Sequence, residues 1–307
     1  EREREMALAS AVASIFEQGK LSVESYEKEE KDVSSPPTSV LVVTPTRAGQ
    51  YPVILFLHGF FLHNYYYRQL LQHIASHGYI AVAPKLPLTL FPSSERDVEA
   101  AAAVAEWLPR GLPSVLPTGV EGNLQKLALA GHSKGGHSAF ALALKKPLDF
   151  SVLVGIDPVA GRVNPFTGQK EEVSPKILTY TPNSLDISIP VLVVGSGLGE
   201  EKQWLVMPAC APEGLNHAEF YSECRSPAFH FVVKEYGHLD MLDDDAPWLV
   251  MCTCKRGAGC RGRMRRSVAG LVVAFLEAYL GRDEGDLRAV IREPGVAPAR
   301  LDPVEEK

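Results

Sequence analysis

Short apolar runs closed by glycine, proline or a His-Gly pair alternate along this chain with amphipathic stretches, and that alternation constrains the fold more than any other feature. Residues 53–57 (Val53-Ile54-Leu55-Phe56-Leu57) are apolar without a break and end at His58-Gly59. A run apolar on both alternating faces suits a strand covered from both sides. The same reading makes strands of 79–83, 126–130, 151–156, 190–195 and 229–234. Helices are predicted from Asn64 to His77, from Ser94 over 95–108, over 138–145, and from Ser267 to Leu280, with Asn64, Ser94 and Ser267 as N-caps and Gly281 as a stop. Strands alternating with helices mean βαβ units and a mostly parallel, twisted sheet with helices on both faces. Residues 21–31 can add an antiparallel edge hairpin with 40–43.

No composition shift divides the 307 residues, so a single domain is expected over 16–281. Residues 1–15 are read as a flexible N-terminal segment. The 282–307 stretch mixes charges with Pro294, Pro298 and Pro303 and is read as a C-terminal tail. Two stretches, 161–188 and 197–228, lack periodicity. The second is expected to be a long lid-like insertion or binding loop. No apolar run approaches the roughly 18 residues of a membrane helix, and a net charge of −6 excludes nucleic acid as the main partner. The alternating Glu and Arg of residues 1–5 resemble neither a secretory signal nor a transit peptide.

The sharpest local signal is Gly131-His132-Ser133-Lys134-Gly135-Gly136, a G-x-S-x-G pattern between a predicted strand and a predicted helix. In that context the serine tops a strained turn. The glycines give room where backbone segments meet, and the helix N-terminus faces a developing oxyanion. This predicts an α/β-hydrolase fold with Ser133 as nucleophile. The oxyanion donors are expected to be the backbone N–H groups of Lys134 and of Phe60, in the glycine turn after residues 53–57. One of Phe60 and Phe61 is expected in the core.

Chain order in this fold puts the general base after the last strand. Of nine histidines, His238 in Tyr236-Gly237-His238-Leu239-Asp240 holds that position, and His217 in the long loop is the outsider. The acid is Asp157 or Glu200. Asp157 ends the strand after the elbow helix and is favoured. Asp240 and 243–245 follow His238 too closely to support it from behind and are read as loop structure.

Four segments carry a resemblance to plant chlorophyllases: the run from Tyr51 through Leu57-His58-Gly59-Phe60-Phe61-Leu62 to Asn64, the elbow 131–136, Gly155-Ile156-Asp157-Pro158-Val159, and 236–244. It spans about 16–280. Lys134 stands where that family usually has Arg. The resemblance implies hydrolysis of the phytyl ester of chlorophyll to chlorophyllide and phytol, with Ser133, Asp157 and His238 as the catalytic set. It also implies a chloroplast location and no metal or organic cofactor. A general carboxylesterase or lipase, or a non-catalytic pigment carrier, are the alternatives on the same scaffold. For such a substrate Phe61, Leu62, Tyr65, Leu88 and Phe91 are expected to form an apolar mouth, with Trp204 and Met207 in a lid.

Cysteine usage leaves one thiol over from five. Cys252, Cys254 and Cys260 lack zinc spacing. A local disulfide is expected instead, with Cys210 or Cys224 pairing as well, and free thiols stand as an equal alternative. The 255–266 stretch carries six basic residues and no acid, so the rest of the chain sums to −12. It is read as a solvated loop, with peripheral contact to an anionic membrane as the sharper idea.

Overall fold

The structure is a computed structural model that describes residues 14–30, 35–88, 93–146, 149–204 and 207–307. Its strands are β1 (Val23–Lys28), β2 (Val40–Pro45), β3 (Gly49–Leu57), β4 (Ile80–Pro84), β5 (Val120–His132), β6 (Val152–Ile156), β7 (Gly161–Val163), β8 (Lys170–Glu172), β9 (Val191–Ser196), β10 (Ala228–Val233) and β11 (Leu301–Glu306). Its helices are α1 (Arg68–Ser76), α2 (Glu95–Val115), α3 (Lys134–Lys145), α4 (His217–Glu223), α5 (Trp248–Met251), α6 (Arg261–Leu276) and α7 (Gly285–Arg292).

One sheet runs β1-β2-β4-β3-β5-β6-β9-β10-β11. From β4 to β10 every pairing is parallel. Antiparallel pairs close the edges: β1 with β2, β2 with β4, and β10 with β11. The continuous apolar runs are explained by what covers them. Along β3, Ile54 and Phe56 join Leu70, Leu71, Val268 and Leu271 of α1 and α6 in one buried cluster. Val53, Leu55 and Leu57 face the other way, into a cluster with Val98, Leu108 and Leu142 of α2 and α3. A strand between two helical layers has no solvent face, so it alternates faces without alternating polarity. This is the α/β-hydrolase arrangement expected of the chain.

Several local expectations are corrected. The residues read as helix caps spend their side chains on distant partners. Asn64 opens a short 3₁₀ turn, and its amide donates to the Ala83 carbonyl at 2.8 Å. Ser94 precedes α2, but its hydroxyl donates to Ser174 O and meets His137 Nδ1 at 2.9 Å. Ser267 lies within α6, which already starts at Arg261, and accepts from the Ala299 amide at 3.0 Å. Helix α2 continues past residue 108 through Pro109 and Pro113. The buried Leu108 and Leu112 anchor this last stretch against the sheet, and Tyr26 donates to Val115 O at 2.6 Å.

The 282–307 stretch is no loose tail. Helix α7 buries Leu287 and Val290, and β11 pairs with the otherwise open edge of β10. Pro303 is tolerated there because an edge strand need not donate on its outer side. At the other end Phe16 is buried and its ring lies against Gly270, where a Cβ would come within 2.2 Å of it. Residues 1–13 of the predicted N-terminal segment lie outside the described residues. The aperiodic 161–188 stretch contains the β7–β8 hairpin, and 197–228 contains α4.

Candidate active site

Ser133 joins β5 to α3 with φ 58° and ψ −128°, a conformation that costs energy for any residue with a side chain. The surrounding packing leaves little alternative. A Cβ on Gly131 would lie 2.2 Å from Gly135 O, and one on Gly135 would lie 2.3 Å from Leu57 O. Both positions therefore require glycine. Gly59 carries the same constraint, since its Cβ would reach within 3.0 Å of Ser133 Cβ. The glycine turn after β3 thus lies directly on the serine, with Phe60 and Lys134 on either side.

The structure brings Ser133, His238 and Asp157 into one row. His238 Nε2 is 2.8 Å from Ser133 Oγ, and its Nδ1 is 2.7 Å from Asp157 Oδ2. All three side chains are buried. Asp157 also accepts from the Ser196 amide at 3.2 Å and from the Ser196 hydroxyl. Burial works against its charge. The hydrogen bond and charge of His238, with His217 and Ser196 adding to them, prevail and hold its carboxyl below the usual range. Glu200 turns elsewhere, accepting from Asn216 Nδ2 at 2.7 Å. The His238 turn is held by Asp240, whose Oδ2 accepts from the amides of Gly237 and Gly257, each at 2.7 Å. A hydroxyl bonded to an imidazole, itself oriented by a buried carboxylate, can act as a nucleophile.

The row opens into a cavity of about 560 Å³ lined mainly by apolar side chains. Of the residues expected at its mouth, Phe61, Leu62 and Met207 line it, together with Phe60 and Lys134. Neither Phe60 nor Phe61 is a core residue; both are over one-third exposed. Tyr65 is not among the lining residues and stacks on His63. Leu88 belongs to a small neighbouring hollow that also touches His58 and Asp97. Trp204 stands outside the cavity lining, its indole donating to Cys252 O at 3.2 Å. Phe91 lies outside the described residues.

Sequence reasoning missed other residues of the cavity lining: Val159, Val173, Leu249, Val250 and Thr253. The disulfide pairing that the sequence left open is Cys210 with Cys254; both line the cavity, while Cys224, Cys252 and Cys260 are free. A buried ion pair was likewise unforeseen: Lys134 Nζ meets Asp97 Oδ2 at 2.9 Å, beneath the Phe60 ring. Burial pushes the Asp97 carboxyl up despite Lys134.

The basic 255–266 stretch is largely neutralised within the fold. Lys255 meets Glu201, Arg256 meets Asp240, Arg261 and Arg265 share Asp244, and Arg266 meets Glu17. The stretch is not all loop: 261–266 open helix α6. Among the described residues no helix is long and apolar enough to cross a membrane, and no group of three or more His, Cys, Asp or Glu is placed to hold a metal.

Known proteins resemble this chain over nearly its full length. A family model described as Chlorophyllase matches residues 11–307. Chlorophyllase-1 of Arabidopsis thaliana is 47% identical over 288 residues, covering 90% of this chain and 87% of the relative. Chlorophyllase-2 of the same plant is 48% identical over 268 residues, covering 84% and 81%. Chlorophyllase-1, chloroplastic, of Citrus unshiu is 43% identical over 307 residues, covering 97% and 90%.

Proposed function

Because the chain belongs to the chlorophyllase family, we propose that it hydrolyses the phytyl ester of chlorophyll, giving chlorophyllide and phytol, by a serine mechanism. The observation that carries this is the row from Ser133 Oγ through His238 to Asp157 at the floor of an apolar cavity. Ser133 Oγ attacks the ester carbonyl carbon while His238 Nε2 takes its proton. Asp157 orients the ring and stabilises the imidazolium. The amides of Phe60 and Lys134 receive the oxyanion. As the tetrahedral intermediate collapses, His238 returns the proton to phytol, which leaves. Water, activated by the same imidazole, then frees the carboxylic acid and regenerates Ser133.

The lining suits the substrate. Phe60, Phe61, Leu62, Val159, Val173 and Leu249 offer apolar surface to a long isoprenoid chain and a flat ring, and few polar groups compete for water there. A chloroplast location is part of this reading, supported by two citrus relatives that are named chloroplastic.

Incubation with chlorophyll a and solvent partition of the green product tests the reaction. The polar phase should gain chlorophyllide, and Ser133→Ala should abolish that gain. Exclusive turnover of short p-nitrophenyl esters would instead point to a general carboxylesterase. Asp157→Asn and Glu200→Gln test the acid: the first should cost about 10⁴-fold in kcat, the second little.

A further inference from the structure

Behind Asp157, on the side away from His238, lies a second row of titratable groups that ester hydrolysis as described does not use. His217, the first residue of α4, points Nε2 at Asp157 Oδ1 from 4.0 Å. Its Nδ1 is 2.8 Å from His230 Nε2, and His230 Nδ1 is 2.7 Å from Glu305 Oε2. His230 and Glu305 are register partners across β10 and β11, so the row runs from the triad carboxylate to the C-terminal edge strand. The slot for His217 is built into the sheet. A Cβ on Gly195 would fall 2.5 Å from three atoms of its ring. Both imidazoles are buried, whereas the Glu305 side chain is 48% exposed.

Counting protons shows why the row matters. Glu305 with His230 and His230 with His217 are at hydrogen-bond distance, and His217 faces Asp157 across 4.0 Å, an ion-pair separation. Two neutral imidazoles bring two N–H groups, enough for the two hydrogen bonds. With both carboxylates ionised, His217 then turns a ring lone pair toward the buried Asp157 carboxylate, and a third proton replaces that repulsion with an ion pair. His217 is the ring that faces the fully buried Asp157 carboxylate, so the added charge is placed there; burial and the adjacent His217 push the His230 imidazole down to about 4. The charged and titratable groups facing the pair are Asp157 from the end of β6, Glu305 from β11 and the Tyr221 phenol stacked on His230 from α4. Lys307 lies beyond, over the Tyr221 ring. His238 lies across Asp157.

We propose that His217, His230 and Glu305 form a second arm on Asp157, carrying one proton more than two neutral imidazoles, and that this arm sets how strongly Asp157 supports His238. These three are positioning residues, and the inference rests on the serine reading of the site. Removing the Glu305 charge releases the shared proton. Asp157 then serves His238 alone, so the imidazolium of His238 forms more readily and deprotonates at higher pH.

The test uses the full chain and a soluble p-nitrophenyl ester. In Glu305→Gln the acid limb of kcat/KM should move up by roughly half a pH unit, with KM unchanged. His230→Gln should shift it the same way. Histidine-labelled ¹⁵N NMR should show His217 as imidazolium near neutral pH in the parent protein and neutral in Glu305→Gln. Loss of strand docking alone would lower stability without moving the limb. An acid limb in Glu305→Gln coincident with the parent, or a neutral His217 in the parent, overturns the second arm. Ser133→Ala, run alongside, separates the readings: if it is inactive while the Glu305→Gln limb stays put, the serine mechanism stands and only the arm falls.

Discussion

The Tyr67 hydroxyl is 2.7 Å from Nδ1 of His132, a residue 65 positions later, and this contact ties the two halves of the candidate active site together. Tyr67 accepts the Gly59 N–H at 3.1 Å, so its own proton goes to His132 Nδ1. That fixes the proton of His132 on Nε2, which donates to the His238 carbonyl at 2.9 Å. Burial and the nearby His238 push the His132 imidazole down to about 3, so the link stays neutral. One chain of hydrogen bonds therefore runs from the glycine turn, beneath the elbow, to the backbone of the base.

Tyr67→Phe is the direct probe of that chain. It preserves the ring packing and leaves the Gly59 N–H and His132 Nδ1 unpaired in a buried site. Each such group costs about 1–3 kcal/mol. A fall in kcat of about tenfold is expected, with KM little changed, because the groups displaced serve the oxyanion turn and the base rather than the cavity wall. Steady-state kinetics on a soluble ester decides it, and an unaltered kcat would show that the link is dispensable.

The Lys134–Asp97 pair leads to a stability prediction. Both side chains are buried, and Asp97 Oδ1 has no partner among the described residues. Lys134→Met strands the carboxylate and is expected to cost about 3–5 kcal/mol in urea unfolding. The double variant Lys134→Met with Asp97→Leu should recover most of that loss, since removing both charges removes the desolvation penalty too. Recovery no better than the single variant would mean that the pair contributes more than mutual neutralisation.

How much of this was legible in the sequence depends on the kind of signal. Periodicity exposed the parallel strands, because a run such as 53–57 reports only that both faces are covered. The elbow glycines and the position of His238 were legible because backbone clashes and chain order restrict them to few residue types. Long-range polar choices were not. Asn64, Ser94 and Ser267 look like caps locally, yet each binds a group far along the chain. The cavity wall at 249–253 was hidden for a similar reason: Leu249 and Val250 lack any period, and long-range links such as the Cys210–Cys254 disulfide and the Trp204–Cys252 hydrogen bond bring their segment beside 204–210. The 282–307 stretch was misread because its three prolines outweighed a short amphipathic helix whose value depends on the open edge of β10.

Buried histidines give the protein a defined response to acid. Burial holds the imidazoles of His58, His132 and His137 down, to about 4, 3 and 4. Each stays neutral in the fold and gains a proton on unfolding. Their contribution is complete above the ordinary value of 6.5 and is lost as pH falls below it, at about 1.4 kcal/mol per pH unit for each. Asp243 has the opposite sign. Burial raises its carboxyl to about 6, so between 3.8 and 6 the folded chain holds that proton and offsets one imidazole. His230, likewise held down to about 4 by burial, is a fourth such imidazole. Net of Asp243, these groups take up about three protons on unfolding, and unfolding free energy should drop by roughly 3–4 kcal/mol between pH 6 and pH 5. Urea midpoints measured across that interval check it; a flat midpoint is incompatible with neutral buried imidazoles at these positions.

The Cys210–Cys254 bond joins the 197–228 stretch to the 249–254 segment of the cavity lining, and its loss should separate substrate binding from chemistry. It spans 44 positions, and neither cysteine touches Ser133, His238 or Asp157 through any hydrogen bond described above. What it holds is the wall. Met207, Pro208 and Ala209 precede Cys210, Leu249, Val250 and Thr253 precede Cys254, and all six line the cavity. Closing a loop of that length restricts the unfolded chain by roughly 4 kcal/mol on the chain-entropy estimate, an upper figure for the stability at stake. Cys254→Ser, or reduction with dithiothreitol, is therefore expected to lower the melting temperature and to raise KM for chlorophyll several-fold. The kcat for a short ester that does not reach these residues should stay near the parent value, because Ser133, Asp157 and His238 are held by β5, β6 and the Asp240-bonded turn instead. Parallel KM and kcat measurements on the two substrates, before and after reduction, discriminate. Equal losses on both substrates would place the disulfide's effect at the catalytic row rather than at the wall.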